Sequence, residues 1–340
     1  MNAKGGDSMR IHLDTDFGGD PDDACALAML LGWPGVELTG ITTTIDPGGR
    51  RAAYVGHCLD LVGRSDIPVS AGAGASLTTR RVAEPYVDDE RFWPGTLTGR
   101  PSPPGAALDL LQQSVNAGAT IVAIGPYTNL ALLEVMRPGI LVHVPIVVMG
   151  GWVQPPAPGL PAWGPDMDFN VQWDTRAAAI VAASASNLTL STLPATLTAP
   201  LRAADLPRPR AAGPLGALLA RQSEAYAQDR GMAALGRAHA GLPDDLLNFH
   251  WDPVACAVAL GWPGAAIEEM RLQPVMTGEV LRFQPHPEGR PVRVVVDVDG
   301  ASFREVWLAA VEAAQSRSSS QGNNLMLSPP QQGAGIMERA

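Results

Sequence analysis

Arg10-Ile-His-Leu-Asp14-Thr-Asp16-Phe-Gly-Gly-Asp20-Pro-Asp22-Asp23-Ala24-Cys-Ala-Leu-Ala-Met-Leu-Leu31 decides the fold. Arg10–Asp14 reads as a short strand. The run from Ala24 to Leu31 reads as an apolar helix, ended by Gly32-Trp-Pro-Gly35. Between them, five carboxylates (Asp14, Asp16, Asp20, Asp22 and Asp23) fall within ten residues. At neutral pH they repel one another, and some of their pKa values must rise. The amides and partial positive charge of the following helix offset part of that repulsion, and Pro21 suits its first turn. A bound cation offsets more, and hard oxygen donors favour Ca²⁺ or Mg²⁺ over zinc. The loop glycines let several carboxylates face one point. A solvated acidic turn that merely caps a helix is the plain alternative. The apolar segments on both sides, which bury the flanks of the loop, argue against it. An EF-hand is excluded, because the loop is too short and lacks the terminal Glu.

Outward from this stretch the same rhythm repeats. Val36–Thr44 reads as a strand and Arg50–Val62 as a helix, and Ile67-Pro-Val-Ser starts a third strand. Ala119–Ile124 with Asn129–Met136 is another strand–helix pair. Leu141–Met149 is a near-continuous apolar strand, Thr175–Ala183 a helix and Leu188–Ser191 a strand. Alternating strands and helices imply an α/β fold with a doubly wound, mostly parallel sheet, whose ligands bind at the carboxyl ends of the strands. The acidic loop, Gly125 and Gly150-Gly151 all lie at that edge. Residues 76–105 and 152–168 are Pro-rich and irregular, as functional lids or disordered segments are. Ala24-Cys-Ala-Leu-Ala and its Gly-Trp-Pro-Gly end are echoed by Ala255-Cys-Ala-Val-Ala and Gly261-Trp-Pro-Gly264, which reads as one packing solution used twice. The expected organisation is a loose leader over 1–8, a single domain over 9–315 and a disordered tail over 316–340.

The 340 residues, 46% apolar and 17% charged, suffice for a substantial globular core. A net charge of −10 repels phosphate backbones, which disfavours nucleic acid as a partner and suits a cation or a neutral small molecule. Three widely spaced cysteines, Cys25, Cys58 and Cys256, do not form a disulfide framework and read as buried small residues. No apolar run reaches the roughly 20 residues of a membrane span, and no signal-peptide core is evident. The expected location is the cytoplasm.

Two further elements carry acids. His250-Trp251-Asp252-Pro253 stands at a predicted helix start, where Asp252 by itself is an ordinary cap. In Asp166-Met-Asp168-Phe-Asn170-Val-Gln-Trp-Asp174, Asp168 and Asn170 alternate with apolar residues and can project to one side, while Asp174 caps the next helix.

With these pieces in order, the sequence resembles the inosine–uridine-preferring nucleoside hydrolase family over residues 10–315. The resemblance rests on the Asp-x-Asp…Asp-Asp-Ala loop (14–24), Gly40-Ile-Thr-Thr43, Ile124-Gly-Pro-Tyr-Thr-Asn-Leu130, Gly150-Gly151, Asp168-Phe-Asn170 and Asp252-Pro-x-Ala255. It implies an open α/β fold with one Ca²⁺ at the floor of a ribose pocket, a nucleoside substrate and a homo-oligomer, dimer or tetramer. By motif match, Asp16 binds the metal and orients or deprotonates the attacking water. Asp23, the carbonyl of Ile124 and Asp252 complete the metal shell. Asp22 holds the ribose 2′-hydroxyl, and Asp168 and Asn170 hold other hydroxyls. Calcium chemistry and a carboxylate-rich pocket both suit an oxocarbenium-like transition state.

The chain departs from the family pattern in four places. The acidic loop is two residues longer, which makes Asp20 a competing ligand. Asp168 stands where Glu is frequent. Asp46-Pro47 replaces Gly-Asn, leaving Asp46 as the ribose contact there. Trp251 precedes Asp252, as in the purine-specific branch, where inosine–uridine enzymes carry a leaving-group His. From this we expect Trp251 and Trp93, the latter in the Pro-rich lid Arg91-Phe-Trp-Pro94, to sandwich a purine. Tyr86 and Trp163 are substitutes for Trp93. His250 is shifted by one position, which can turn it away from the site, and it is the acid only if stacking fails. Two other readings compete. Asp14-x-Asp16 after a strand suggests a haloacid-dehalogenase-type phosphatase, but Phe17-Gly18 follows it, and Asp297-Val-Asp-Gly300 reads as a turn. A non-catalytic nucleoside-binding protein would keep the same pocket.

Overall fold

The computed structural model describes residues 8–81, 89–95 and 97–325. The leader up to residue 7, Tyr86 and residues 326–340 lie outside them. The chain runs β1 (Met9–Thr15), α1 (Asp22–Gly32), β2 (Val36–Thr43), α2 (Arg50–Asp60), β3 (Val69–Ala71), α3 (Ala106–Asn116), β4 (Thr120–Ala123), α4 (Thr128–Met136) and β5 (Pro145–Met149). It continues α5 (Phe169–Trp173), α6 (Thr175–Ser184), β6 (Asn187–Ser191), α7 (Leu193–Thr196), β7 (Pro200–Arg202), α8 (Pro207–Ala212), α9 (Pro214–Arg230) and α10 (Met232–Ala238). It closes with β8 (Leu246–Phe249), α11 (Trp251–Ala259), β9 (Ala265–Thr277), β10 (Val280–Pro285), β11 (Arg290–Val298) and α12 (Gly300–Leu325). The last helix extends past residue 315, where the sequence suggested a tail.

Nine strands form one sheet in the order β10-β9-β11-β6-β5-β4-β1-β2-β3. From β3 to β11 neighbouring strands are parallel, while the β9–β10 hairpin adds antiparallel strands at one edge. The α/β, doubly wound, mostly parallel architecture is therefore the one expected. Strand order reverses direction between β1 and β4, which pair through Asp14 and Ala123. The loops leaving these two strands diverge to opposite faces and open a crevice, the usual ligand site of such sheets.

The helix α1 explains why the sheet tolerates an acidic loop at its centre. All eleven of its residues are buried. Its small side chains let α12 approach so closely that a Cβ on Gly32 would meet the Ala310 carbonyl oxygen at 1.7 Å. The Trp307 indole N–H donates to the Cys25 carbonyl at 3.2 Å. Leu27 and Leu30 of α1 belong to the buried core, and truncating such a residue to Ala costs about 2–5 kcal/mol. The two helices whose sequences echo one another, α1 and α11, also lie against each other.

One strand is shorter than its sequence suggests. Leu141–Val144 form turns, bonded from Val142 N–H to the Gly139 carbonyl and from Val144 N–H to the Leu141 carbonyl, and β5 begins only at Pro145. Among the described residues no helix is long and apolar enough to cross a membrane.

Candidate active site

A cavity of about 830 Å³ opens at the β1/β4 crevice. Its floor is acidic, with Asp16, Asp20, Asp22, Asp23, Asp168, Asn170 and Asp252 among its walls. Asp22 and Asp23 occupy the first turn of α1, and Asp252 the first turn of α11. Two helix N-termini therefore converge on one point and present partial positive charge to it. Oxygens of Asp22, Asp23 and Asp252 all lie within 4.8 Å of one another. Burial first, and then mutual repulsion, raises the carboxyls of all three well above the ordinary carboxylate range. A buried, all-oxygen set of carboxylates so disposed fits a hard divalent cation. Thr15 Oγ1 donates to Asp23 Oδ1 in a short hydrogen bond that fixes its orientation.

Asp16, half-buried beside this cluster, has its carboxyl pushed up to about 6, chiefly by burial and against the lowering influence of Arg51. The chain after β4 passes so close that a Cβ on Gly125 would meet the Asp16 backbone nitrogen at 2.7 Å and its Oδ1 at 2.9 Å. The Ile124 carbonyl faces the cavity and accepts from Asn170 Nδ2 at 3.0 Å, and the same amide donates to the Met149 carbonyl at 3.1 Å.

Asp168 and Asn170 do reach one side, though not by strand alternation. Asp168 caps the short helix α5, accepting from Val171 N–H at 3.2 Å, and also takes the Gly151 N–H at 2.6 Å. Asn170 lies in the first turn of that helix, and Phe169 faces the cavity as well. Burial pushes the Asp168 carboxyl up to about 6. Asp174 caps α6 through Ala177 N–H, as expected, and further binds Leu77 N–H and the hydroxyls of Thr78 and Thr128.

Two expectations need correction, and the fallback acid is removed. Asp46 does not line the cavity. Its carboxylate accepts from Thr43 Oγ1 at 2.8 Å and from the amides of Arg51 and Ala52 at 3.1 and 3.0 Å, so it starts α2 rather than holding ribose. Trp93 is 3% exposed and stacks on Tyr54 of α2, ring centroids 4.1 Å apart and nearly parallel. Its lid is pinned by Gln222 Nε2 donating to the Phe92 carbonyl at 2.8 Å, so the indole is core and forms no wall of the cavity. His250, the alternative acid, points away from the cavity. Its ring packs against Trp307 and Phe303, its Nδ1–H donates to the Ala199 carbonyl at 3.2 Å, and burial lowers its pKa to about 4. The extra loop residue Asp20 accepts from Asp22 N–H at 2.9 Å and from Asn248 Nδ2 at 3.1 Å, which makes it a brace to β8 as well as a wall residue.

The outer wall is aromatic and apolar. Trp251 and Trp163 both line it, with centroids 6.5 Å apart and planes at 39°, and Phe249 backs them. Trp163 belongs to the other Pro-rich loop, 152–168. That loop is stapled in place by Gly241 N–H to the Gly159 carbonyl and by the Trp152 indole N–H to the Trp163 carbonyl, both at 2.9 Å. Tyr226, Arg230, Met232 and Leu235 of α9 and α10 complete the wall, and nothing in the sequence reading assigned them. The available signal was Leu215, Leu218, Leu219 and Tyr226 recurring on one face of a helix.

This geometry has close relatives. The model of the inosine-uridine preferring nucleoside hydrolase family matches residues 11–305. The chain belongs to that family. It is a hydrolase acting on nucleosides, from a metal-dependent family. A curated relative, the pyrimidine-specific ribonucleoside hydrolase RihA of Salmonella schwarzengrund, is 33% identical over 223 residues, which covers 63% of this chain and 70% of the relative. A solved plant nucleoside hydrolase superimposes with a TM-score of 0.72 at 25% identity, covering 90% of this chain and 99% of the other. The purine-preferring ribonucleoside hydrolase of Gardnerella vaginalis has the same fold, with a TM-score of 0.71 at 23% identity over 90% and 99% of the two chains. The family match removes the phosphatase reading, because it accounts for Asp14-x-Asp16 together with the other motifs.

Proposed function

We propose that this family member is a Ca²⁺-dependent ribonucleoside N-ribohydrolase that favours purine nucleosides. The convergence of Asp22, Asp23 and Asp252 at two helix ends, under a cavity with an aromatic outer wall, carries the proposal. Asp16, Asp23, Asp252 and the Ile124 carbonyl would hold the ion, which when bound supplies positive charge that polarises ribose hydroxyls and water. Asp16 accepts the proton of the attacking water. Asp22, Asp168 and Asn170 grip the ribose hydroxyls, and the carboxylate floor stabilises the oxocarbenium-like sugar as the base departs.

Trp251 and Trp163 form an angled corner rather than a sandwich. A base between two parallel rings needs about 7 Å, twice a normal contact distance, and these centroids are 6.5 Å apart and tilted. The base therefore stacks against one indole with its edge toward the other. No histidine lines the cavity among the described residues, so protonation of the leaving base falls to solvent. Purines, with the larger ring and the more basic leaving group, benefit most. The three buried, free cysteines suit a reducing compartment, which supports a cytoplasmic location.

The test is a panel of purine and pyrimidine ribonucleosides assayed for released ribose, with and without chelator. Inosine, adenosine or guanosine should outrun uridine and cytidine, and chelation should abolish all turnover. A second reading, pyrimidine preference, is favoured by the name of the Salmonella relative. Fastest turnover of uridine or cytidine would establish it and leave the N-ribohydrolase assignment standing. Absence of any ribose release would favour the non-catalytic binding protein.

A further inference from the structure

Arg51 is assigned no role by the family motifs, yet it occupies a singular position. It is 2% exposed, it stands in the first turn of α2, and its guanidinium reaches the cavity wall. Nη1 donates to two successive carbonyls of the acidic loop, to Asp16 in a short hydrogen bond and to Phe17 at 3.0 Å. Nε donates to the Ile45 carbonyl at 3.2 Å. One planar group therefore spans two loops, a geometry that guanidinium supplies and ammonium does not.

The loop that delivers Arg51 is itself held under strain. Ile45 has φ +46°, a left-handed conformation that β-branched residues avoid. Such strain persists where the surroundings over-determine the backbone, and it gathers at functional sites. Here the surroundings are on both sides of Ile45. Thr44 N–H bonds to the Thr15 carbonyl at 2.9 Å, Asp46 N–H to the Ala73 carbonyl at 2.9 Å, and the Asp46 carboxylate takes the Arg51 amide. The residue expected to touch ribose instead aims Arg51.

We propose that Arg51 is the positioning residue of the acidic loop, holding Asp16 in its metal- and water-facing posture before any ion arrives. This rests on the reading that the acidic cluster binds Ca²⁺. The fork across the Asp16 and Phe17 carbonyls fixes the backbone from which the Asp16 carboxylate projects. The positive charge also lies beside Asp16 and Asp23 and limits their repulsion in the ion-free protein. Charge alone and posture are separable, because lysine keeps the first and loses the second.

The experiment uses Arg51→Lys in the full chain, stripped of metal. Calorimetric titration with calcium should give a dissociation constant at least about tenfold weaker than wild type. Amide hydrogen exchange in the ion-free state should speed up over residues 16–20 and stay at wild-type rates in α9 and α12, a local loosening that a general loss of stability would not produce. Should Arg51→Lys fail to fold, Arg51→Gln, which keeps one donor toward a carbonyl, is expected to change both readouts in the same direction. A folded variant with wild-type calcium affinity and wild-type exchange in the acidic loop overturns the inference. A wild-type protein that takes up no calcium overturns the metal reading beneath it, so the two failures are distinct.

Discussion

Gly125→Ala tests the site at its tightest point. The added Cβ would stand 2.7 Å from the Asp16 nitrogen, 2.9 Å from its Oδ1 and 3.0 Å from its Cβ, where ordinary contact begins at 3.4 Å. Relief at the nitrogen therefore requires a displacement of about 0.7 Å (3.4 less 2.7), and the atom met there is backbone, which cannot rotate away. Both neighbours are anchored: Ile124 N–H bonds to the Asp14 carbonyl at 2.8 Å, and Arg51 grips the Asp16 carbonyl. The strain falls in the usual range for overpacking, about 1–3 kcal/mol, which a chain of this size survives folded. Its effect on chemistry should be larger. A misplacement of about 1 Å can reduce turnover about a hundredfold, so kcat should fall between about tenfold and a hundredfold. KM should change less, since the aromatic wall is untouched. Initial rates of ribose release at saturating calcium, together with a circular dichroism spectrum, measure this. A folded variant with wild-type kcat would show that Asp16 does not act from the position described.

Three further outcomes are expected. Asp23→Ala and Asp252→Ala should each lose calcium binding and activity together, measured by calorimetry and ribose release; full activity after exhaustive chelation would refute the metal assignment. The raised carboxyls of Asp16, Asp22, Asp23 and Asp252 bind more protons in the folded than in the unfolded chain. Their contribution to stability is therefore fully present below the unfolded value of about 4 and is lost as pH climbs through the folded values, about 6 for Asp16. The chelated protein should melt higher at pH 5.5 than at pH 8, and calcium should raise the melting temperature most at pH 8; the opposite order would show that these groups are ionised without help. Trp163→Ala should raise KM for purine nucleosides up to about tenfold, the size of an aromatic contact, whereas Trp93→Phe should lower the melting temperature and leave KM alone. The reverse pattern would return Trp93 to the base site.

The acidic floor was legible in the sequence because its chemistry is local: Asp16, Asp22 and Asp23 share one loop, and a strand before and a helix after fix where it sits. Asp252 and Asp168 were legible only through motif resemblance, since their approach to the loop depends on strand order. Asp46 and Trp93 misled for one reason. Each lies in an irregular segment at the correct edge of the sheet, yet local demands claimed the side chain first, the α2 amides in one case and the Tyr54 ring in the other. Trp163 and Trp93 both stand in Pro-rich loops, and the sequence ranked Trp93 first. The Gly159–Gly241 staple, a contact between residues far apart in sequence, distinguishes them. Arg51 was invisible because the second of two arginines after a glycine pair, at a helix start, gives no sign of being buried.

The charges around the cavity favour a cation over protons. Asp16, Asp20, Asp22, Asp23, Asp168 and Asp252 bring six negative charges when ionised, and Arg51 and Arg230 bring two positive charges. Each helix N-terminus contributes about half a positive charge, so α1 and α11 together supply about one more. About three negative charges remain, in a place where burial has raised the carboxyls of Asp16, Asp22, Asp23, Asp168 and Asp252. Protonation or a divalent cation can offset most of that remainder. The first would leave Asp16 or its neighbours unable to accept a proton or hold a hydroxyl. The second leaves the carboxylates as oxygen donors. The echo between the α1 and α11 sequences gains a functional reason from this. Two Ala-rich helices that pack closely can aim both N-termini at one point, and neither terminus alone balances the acids that the sugar requires.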